Sequence, residues 1–170
     1  MYVGLPKNRS DSVSGVRNHL LLAKTAPPTL PGSQIPRKEL QERVCRAGGE
    51  TVVLIQAPAG FGKTTLMLQV MNGLRAQGVT TTWLTVDAAD NDVGRFLAFL
   101  DASFDKLLSG VAPTEPENDE AAGVVALDLM ERIACTPAPF VLFVDDAELL
   151  QNAASLAVLR QVIENLPEGC

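Results

Sequence analysis

The sequence has little that would mark a membrane, polyanion-binding or disulfide-stabilised protein. Its apolar runs are strand-sized, far below the roughly 18 residues that span a bilayer. A net charge of −6, from 14 basic and 20 acidic residues, gives no broad basic surface for a polyanion. The three cysteines are odd in number, widely spaced and without a CxxC pair, which is typical of free thiols in a reducing compartment. These absences predict a cytoplasmic protein without membrane contact.

The composition is that of one globular domain. Apolar residues make up 46% of the 170 residues and charged residues 20%, both ordinary for a protein with a core. A chain of this length can bury a real core but is short for two domains.

The first 36 residues carry little regular pattern. Residues 1–18 are polar and aperiodic, which predicts a flexible tail. Residues 19–36 contain four prolines from position 27 onward, which predicts an extended lead-in. A helical pattern begins at Arg37 and breaks at Gly48-Gly49, so we place the ordered domain at 37–170.

Strand-like and helix-like segments alternate through the rest of the chain. Apolar, β-branched runs predict strands over 51–57, 80–87 and 139–146. Apolar residues at helical spacing predict helices over 63–77, 92–108, 119–134 and 153–165. This alternation predicts an α/β fold with a parallel sheet flanked by helices.

Residues 57–65 read "APAGFGKTT" and lie between the first predicted strand and a helix, as a phosphate-binding (Walker A) loop requires. Gly60 and Gly62 let backbone N–H groups turn inward, and Lys63 can reach the outer phosphates. Thr64 places a hydroxyl where it can ligate Mg²⁺. We therefore predict that the nucleotide-binding residues are Ala57, Pro58, Ala59, Gly60, Phe61, Gly62, Lys63, Thr64 and Thr65. The alanine at the first position replaces the glycine of the usual pattern.

The run "FVLFVDD" supplies acids at the end of another predicted strand. Asp145 is the expected Walker B residue and would complete the Mg²⁺ shell with Thr64. Asp146 lies where related NTPases keep a water-polarising acid, so it is the candidate general base. The alternative for this pair is helix capping, since "DDAELL" would start a helix well.

The wider pattern resembles one family. "LPGSQIPRKELQERV", "LIQAPAGFGKTTL", "TTWLTVDAADNDVGRFLAFL" and "FVLFVDDAELL" stand in the order and spacing of the N-terminal nucleotide-binding domain of large ATP-dependent LuxR-type (MalT-like) regulators, of the STAND class. The resemblance covers roughly residues 20–170. The family favours the sequence "APAGFGKTT" at this loop, so Ala57 supports the resemblance.

The resemblance implies an ATP-dependent switch. In this family, ATP with an inducer converts a resting monomer into a self-associating activator, and slow hydrolysis resets it. ATP and Mg²⁺ are the implied ligands. The segment "IPR" resembles one that lines the nucleotide site, so Arg37 becomes a candidate nucleotide contact, the alternative being a solvated arginine at a helix start. Asp87 would lie near the ligand crevice, although Asp90 or Asp92 could simply cap the next helix.

The chain also departs from the family. Its members continue through a winged-helix region and a superhelical sensor to a C-terminal DNA-binding helix-turn-helix, so DNA would be contacted only through a domain absent here. The family's sheet order, 5-1-4-3-2, places its fourth strand between the strands expected at 51–57 and 139–145. The sequence therefore predicts a fragment with an incomplete sheet, poorly stable alone because apolar strand edges are exposed.

A metabolic P-loop ATPase or kinase is the alternative function, and a DNA-binding module is a third. A kinase needs an arginine-rich lid, yet between Asp87 and Phe140 the basic residues are Arg95, Lys106 and Arg132, which are not clustered. A transporter subunit would carry an "LSGGQ"-like signature, which is absent. The acidic charge disfavours DNA binding by these residues.

Overall fold

The computed structural model describes residues 20–29, 32, 34–47, 52–108, 119–134 and 139–170. The predicted tail over 1–18 and the helix break at Gly48-Gly49 lie outside these residues.

Among the described residues, three helices precede the first strand, two helices separate the two strands, and one helix follows the second strand. Residues 20–25 are helical (α1), and the later helices are α2 (Lys38–Arg46), α3 (Lys63–Ala76), α4 (Val93–Leu108), α5 (Asp119–Ala134) and α6 (Ala153–Glu164). The strands are β1 (Thr80–Thr85) and β2 (Phe140–Asp145), and short 3₁₀ turns follow them at Ala88–Asn91 and Ala147–Leu149. Five predicted helices and two predicted strands are thus confirmed to within a few residues.

The two strands form a parallel pair, in which Thr80 lies opposite Phe140 and Thr85 opposite Asp145. Side chains alternate between the faces of the pair. Trp83 and Phe143 lie on one face with α3, where their rings stack with centroids 5.8 Å apart. Leu84 joins the larger cluster on the other face, with residues of α4, α5 and α6. The fold is therefore α/β, with helices on both sides of a short parallel sheet.

The strand predicted over 51–57 is wrong for the residues described. Residues 52–58 have no regular secondary structure and join neither strand of the described sheet. Val52, Val53 and Leu54 are 52%, 43% and 81% exposed. A cavity of about 790 Å³ lies between this segment and β2. A strand needs a neighbour for its backbone N–H and C=O groups, and no described strand lies alongside this one. The apolar run alone could not supply that partner.

The helix at 20–25 also differs from the extended lead-in expected over 19–36. Its residues are good helix formers and precede the prolines, so the helix ends just before Pro27. Lys24 is buried, with its ammonium paired to the buried carboxylate of Asp90 and 3.0 Å from that of Asp87. The same ammonium lies 4.7 Å from the centre of the Phe99 ring. This charge cluster fastens α1 to the end of β1 and to α4.

Two of the three cysteines lie among the described residues. Cys45 and Cys170 are free, whereas Cys135 lies outside the described residues.

In the described part of the chain, no helix combines the length and apolar character that crossing a bilayer requires.

Replacing Lys24 by Met should destabilise the fold by about 3 kcal/mol, because the substitution leaves a buried carboxylate short of its partner. Arg95, whose Nε lies 3.1 Å from the Asp90 carboxylate, would still offset part of that negative charge. The measurement is urea unfolding followed by circular dichroism. The matched control is Lys38→Met at an exposed position; equal stability of the two variants would contradict the assigned role of Lys24.

Candidate functional site

The phosphate loop turns sharply into the start of α3. Gly60 and Gly62 have φ of 81° and 76°, in the left-handed region that glycine adopts most easily. The Phe61 N–H donates to the Pro58 carbonyl at 3.3 Å, and the Leu66 N–H donates to the Gly62 carbonyl at 3.0 Å. The helix therefore begins at Lys63, and its first-turn N–H groups face the loop, the arrangement that favours an anion.

Thr64 and Asp145 come together although 81 residues separate them in the sequence. The Thr64 hydroxyl lies 2.8 Å and 3.1 Å from the two carboxylate oxygens of Asp145, which is buried at the end of β2. Hydroxyl and carboxylate oxygens are ligands that Mg²⁺ accepts. Among the described residues, no group of three or more His, Cys, Asp or Glu side chains is arranged to hold a metal ion by itself. The donor set thus fits Mg²⁺, which usually keeps water and phosphate oxygens in its shell.

Lys63 is held at the loop by two acceptors. Its Nζ donates to the Ala57 carbonyl at 3.2 Å and to the Glu148 carboxylate at 2.8 Å. The hydrogen bond with Glu148 raises the pKa of Lys63 despite the opposing effect of burial, and the charges of Glu148, Asp146 and Asp145 add to the rise. The same hydrogen bond has the opposite effect on its acceptor and lowers the pKa of Glu148. The ammonium therefore stays charged.

Asp146 follows β2 in an unusual conformation, with φ of 55°. Burial raises the pKa of its carboxyl group, and the nearby charges of Asp145 and Glu148 raise it further. A carboxylate with a raised pKa is a stronger proton acceptor, which suits a general base. The capping alternative does not hold, because the Asp146 side chain makes no cap hydrogen bond and the Asp145 side chain contacts Thr64.

Arg37 lies directly over the loop, just before α2. Its Nη2 is 2.9 Å from the position that a Cβ at Gly62 would occupy, so a side chain there would collide with the guanidinium. Arg37 is half-buried rather than fully solvated. A second cavity of about 450 Å³ is lined by Arg37, Gly62 and Lys63 together with residues of α2 and of the 53–57 segment. The structure thus brings Arg37 to the same site as the loop.

Gln69 on α3 is a positioning residue that the sequence did not reveal. Its Oε1 accepts from the Arg37 backbone N–H at 3.1 Å, and its Nε2 donates to the Ile35 carbonyl at 3.1 Å. The two bonds tie residues 35–37 to the helix that follows the phosphate loop. A single glutamine beside an apolar stripe carries no signal that would predict this.

The acidic segment after β1 has a structural role. The Asp87 carboxylate accepts from the Ala89 N–H at 2.8 Å, and that of Asp92 accepts from the Arg95 N–H at 2.8 Å. Burial alone would raise the pKa of Asp87, but its hydrogen bonds with Lys24 and Ala89 and the charges of Lys24 and Arg95 give a net lowering. Asp87 therefore belongs to the Lys24 charge cluster, and the capping alternative holds for this segment.

Replacing Gln69 by Ala should release residues 35–37 from α3. The Arg37 amide would then exchange its hydrogen about tenfold faster, since one hydrogen bond of ~1.4 kcal/mol is lost. Hydrogen exchange read by NMR measures this rate. Gln77→Ala is the control, because Gln77 lies just beyond α3 and its side chain donates back to that helix, to the Gly73 carbonyl at 3.2 Å. An unchanged Arg37 rate in Gln69→Ala would contradict the prediction.

Comparison with known proteins identifies the family of the chain. The family model described as "AAA ATPase domain" matches residues 29–169. The chain is 31% identical over 150 residues to the serine/threonine-protein kinase PknK of Mycobacterium tuberculosis, in strains CDC 1551 / Oshkosh and ATCC 25618 / H37Rv, and to that of Mycobacterium bovis. These alignments cover 84% of the chain but 13% of each relative. The match to the family model spans most of the chain and includes the phosphate loop and β2, so the chain belongs to the AAA ATPase domain family.

Proposed function

We propose that this chain is an ATP-binding regulatory switch domain that takes ATP with Mg²⁺ at the loop of residues 57–65. The observation that carries the proposal is the contact of the Thr64 hydroxyl with the Asp145 carboxylate beside Lys63. These three groups supply two magnesium ligands and a phosphate-binding cation. Membership of the AAA ATPase domain family supports nucleotide as the ligand.

The resemblance to LuxR-type (MalT-like) regulators supports a switch rather than a metabolic enzyme. In this proposal ATP binding controls self-association of a larger protein in the cytoplasm, and slow hydrolysis with Asp146 as general base resets it. Contact with DNA would be made by another domain. Arg37, which lies over the phosphate loop, would contact the nucleotide.

The mycobacterial relatives are named serine/threonine-protein kinases, and the matching residues are 13% of their length. This small share supports an ATP-binding module within a large signalling protein. The output activity of such a protein, whether phosphotransfer or gene activation, would lie in other segments.

Lys63→Ala should weaken ATP binding by about 100-fold, since it removes the cation that faces the phosphates. Thr64→Ala should remove most of the effect that Mg²⁺ has on ATP affinity. Equilibrium dialysis with labelled ATP, with and without Mg²⁺, measures both. Arg160→Ala, which removes a positive charge from exposed α6, is the control. ATP binding by Lys63→Ala at the level of the unmodified chain would refute the site.

Asp146→Asn should leave ATP affinity within about twofold and slow hydrolysis by about 100-fold, because a general base contributes about 10²–10⁴ in rate. Single-turnover hydrolysis of radiolabelled ATP measures the rate, and the dialysis assay measures affinity. Asp92→Asn, which changes the same charge on the segment before α4, is the control. Hydrolysis at an unchanged rate in Asp146→Asn would exclude Asp146 as the base.

A further inference from the structure

The ion pair between Lys63 and Glu148 links the phosphate loop to the segment after β2. The Nζ and Oε1 atoms are 2.8 Å apart, although the residues are 85 positions apart in the sequence. The Lys63 side chain is 20% exposed and that of Glu148 57% exposed. In the proposed function this ammonium donates to phosphate oxygens. The Glu148 carboxylate accepts a hydrogen bond from the same ammonium, so the two anions compete for one cation.

The backbone around Glu148 holds the carboxylate in this position. The left-handed conformation of Asp146 turns the chain after β2, and the 3₁₀ turn Ala147–Leu149 brings Glu148 back toward the loop. Asn91 fastens this turn, because its Nδ2 donates to the Leu149 carbonyl at 3.0 Å. Its Oδ1 accepts from the backbone N–H groups of residues 151 and 152, at 2.7 and 2.6 Å. Glu148 is therefore presented to Lys63 by a braced turn.

The neighbouring acids cannot take the same role. Asp145 is engaged by the Thr64 hydroxyl at the expected magnesium position. Asp146 influences Lys63 through its charge, yet within the described residues it forms no hydrogen bond with the ammonium. Glu148 is the acid that contacts Lys63 directly and that neither the magnesium ligand set nor the general-base assignment uses.

We propose that Glu148 is a built-in counter-ion of Lys63 that the phosphates of a nucleotide must displace, and that it thereby lowers the affinity of the site for nucleoside polyphosphates. The inference rests on the proposed ATP-binding function and deepens it by naming what limits the affinity. Glu148 opposes phosphate binding in two ways, by occupying the cation and by placing a like charge beside the incoming phosphates. Because Glu148 is largely exposed, solvent and salt moderate both effects.

The test is isothermal titration of the full chain with MgATP and with MgADP. Glu148→Gln keeps the size of the side chain and removes its charge, so it should bind MgATP about three- to tenfold more tightly. Glu148→Asp keeps the charge but shortens the side chain, and an intermediate affinity is expected. The control is Glu164→Gln, which changes the net charge equally at an exposed position of α6. Its affinity should equal that of the unmodified chain.

A double variant shows whether the gain passes through Lys63. In a Lys63→Met background, Glu148→Gln should improve MgATP affinity by less than half of the gain seen with Lys63 present. Unchanged or weaker binding by Glu148→Gln, in a chain that binds MgATP, would overturn the counter-ion role while leaving the proposed function standing. The same gain in Glu164→Gln would overturn it too. Absence of MgATP binding by the unmodified chain would instead refute the proposed function, and this inference with it.

Discussion

The hydrogen bond between the Thr64 hydroxyl and the Asp145 carboxylate is the contact on which the candidate site depends. It joins the first turn of α3 to the end of β2. In a complete sheet, pairing between the strand before the loop and its neighbours would aim the loop. Residues 52–58 have no such pairing among the described strands, so the loop is positioned from its other side, by the helix that follows it.

Packing of α3 on the sheet makes that position possible. Met67, Val70 and Met71 are buried against the face of the strand pair that carries Trp83 and Phe143. The two aromatic rings stack at an interplanar angle of 17°, giving α3 a flat apolar surface on which to lie. Thr64 lies one turn before these residues and is carried to the carboxyl end of β2. Packing of α3 on the apolar face of the strand pair thus brings the Thr64 hydroxyl to the Asp145 carboxylate.

The sequence predicts what local pattern determines and misses what depends on distant contacts. The helix after the loop was expected over 63–77 and spans 63–76, because its apolar spacing and glycine stop are local signals. The prediction of a strand over 51–57 was wrong, because a strand also requires a neighbouring strand for its backbone hydrogen bonds. The loop and Asp145 follow recognisable sequence patterns, and the structure brings Thr64 and Asp145 into contact. Gln69 and Glu148 were missed because their bonds cross 32 and 85 residues, which no local spacing encodes.

If the site binds ATP as proposed, the distribution of charge around Lys63 favours the arrival of the nucleotide together with a cation. Three carboxylates, those of Asp145, Asp146 and Glu148, act on the single ammonium of Lys63. A bare polyphosphate would add negative charge to a site where these three acids already outnumber the two nearby cations, Lys63 and Arg37, and repulsion would oppose its entry. A divalent ion at Thr64 and Asp145 would offset that repulsion where it is strongest, beside the carboxylates. In the proposed function the site would therefore favour the magnesium complex of the nucleotide over the free anion, because the cations of Lys63 and Arg37 would not offset the charge of the carboxylates and the phosphates together.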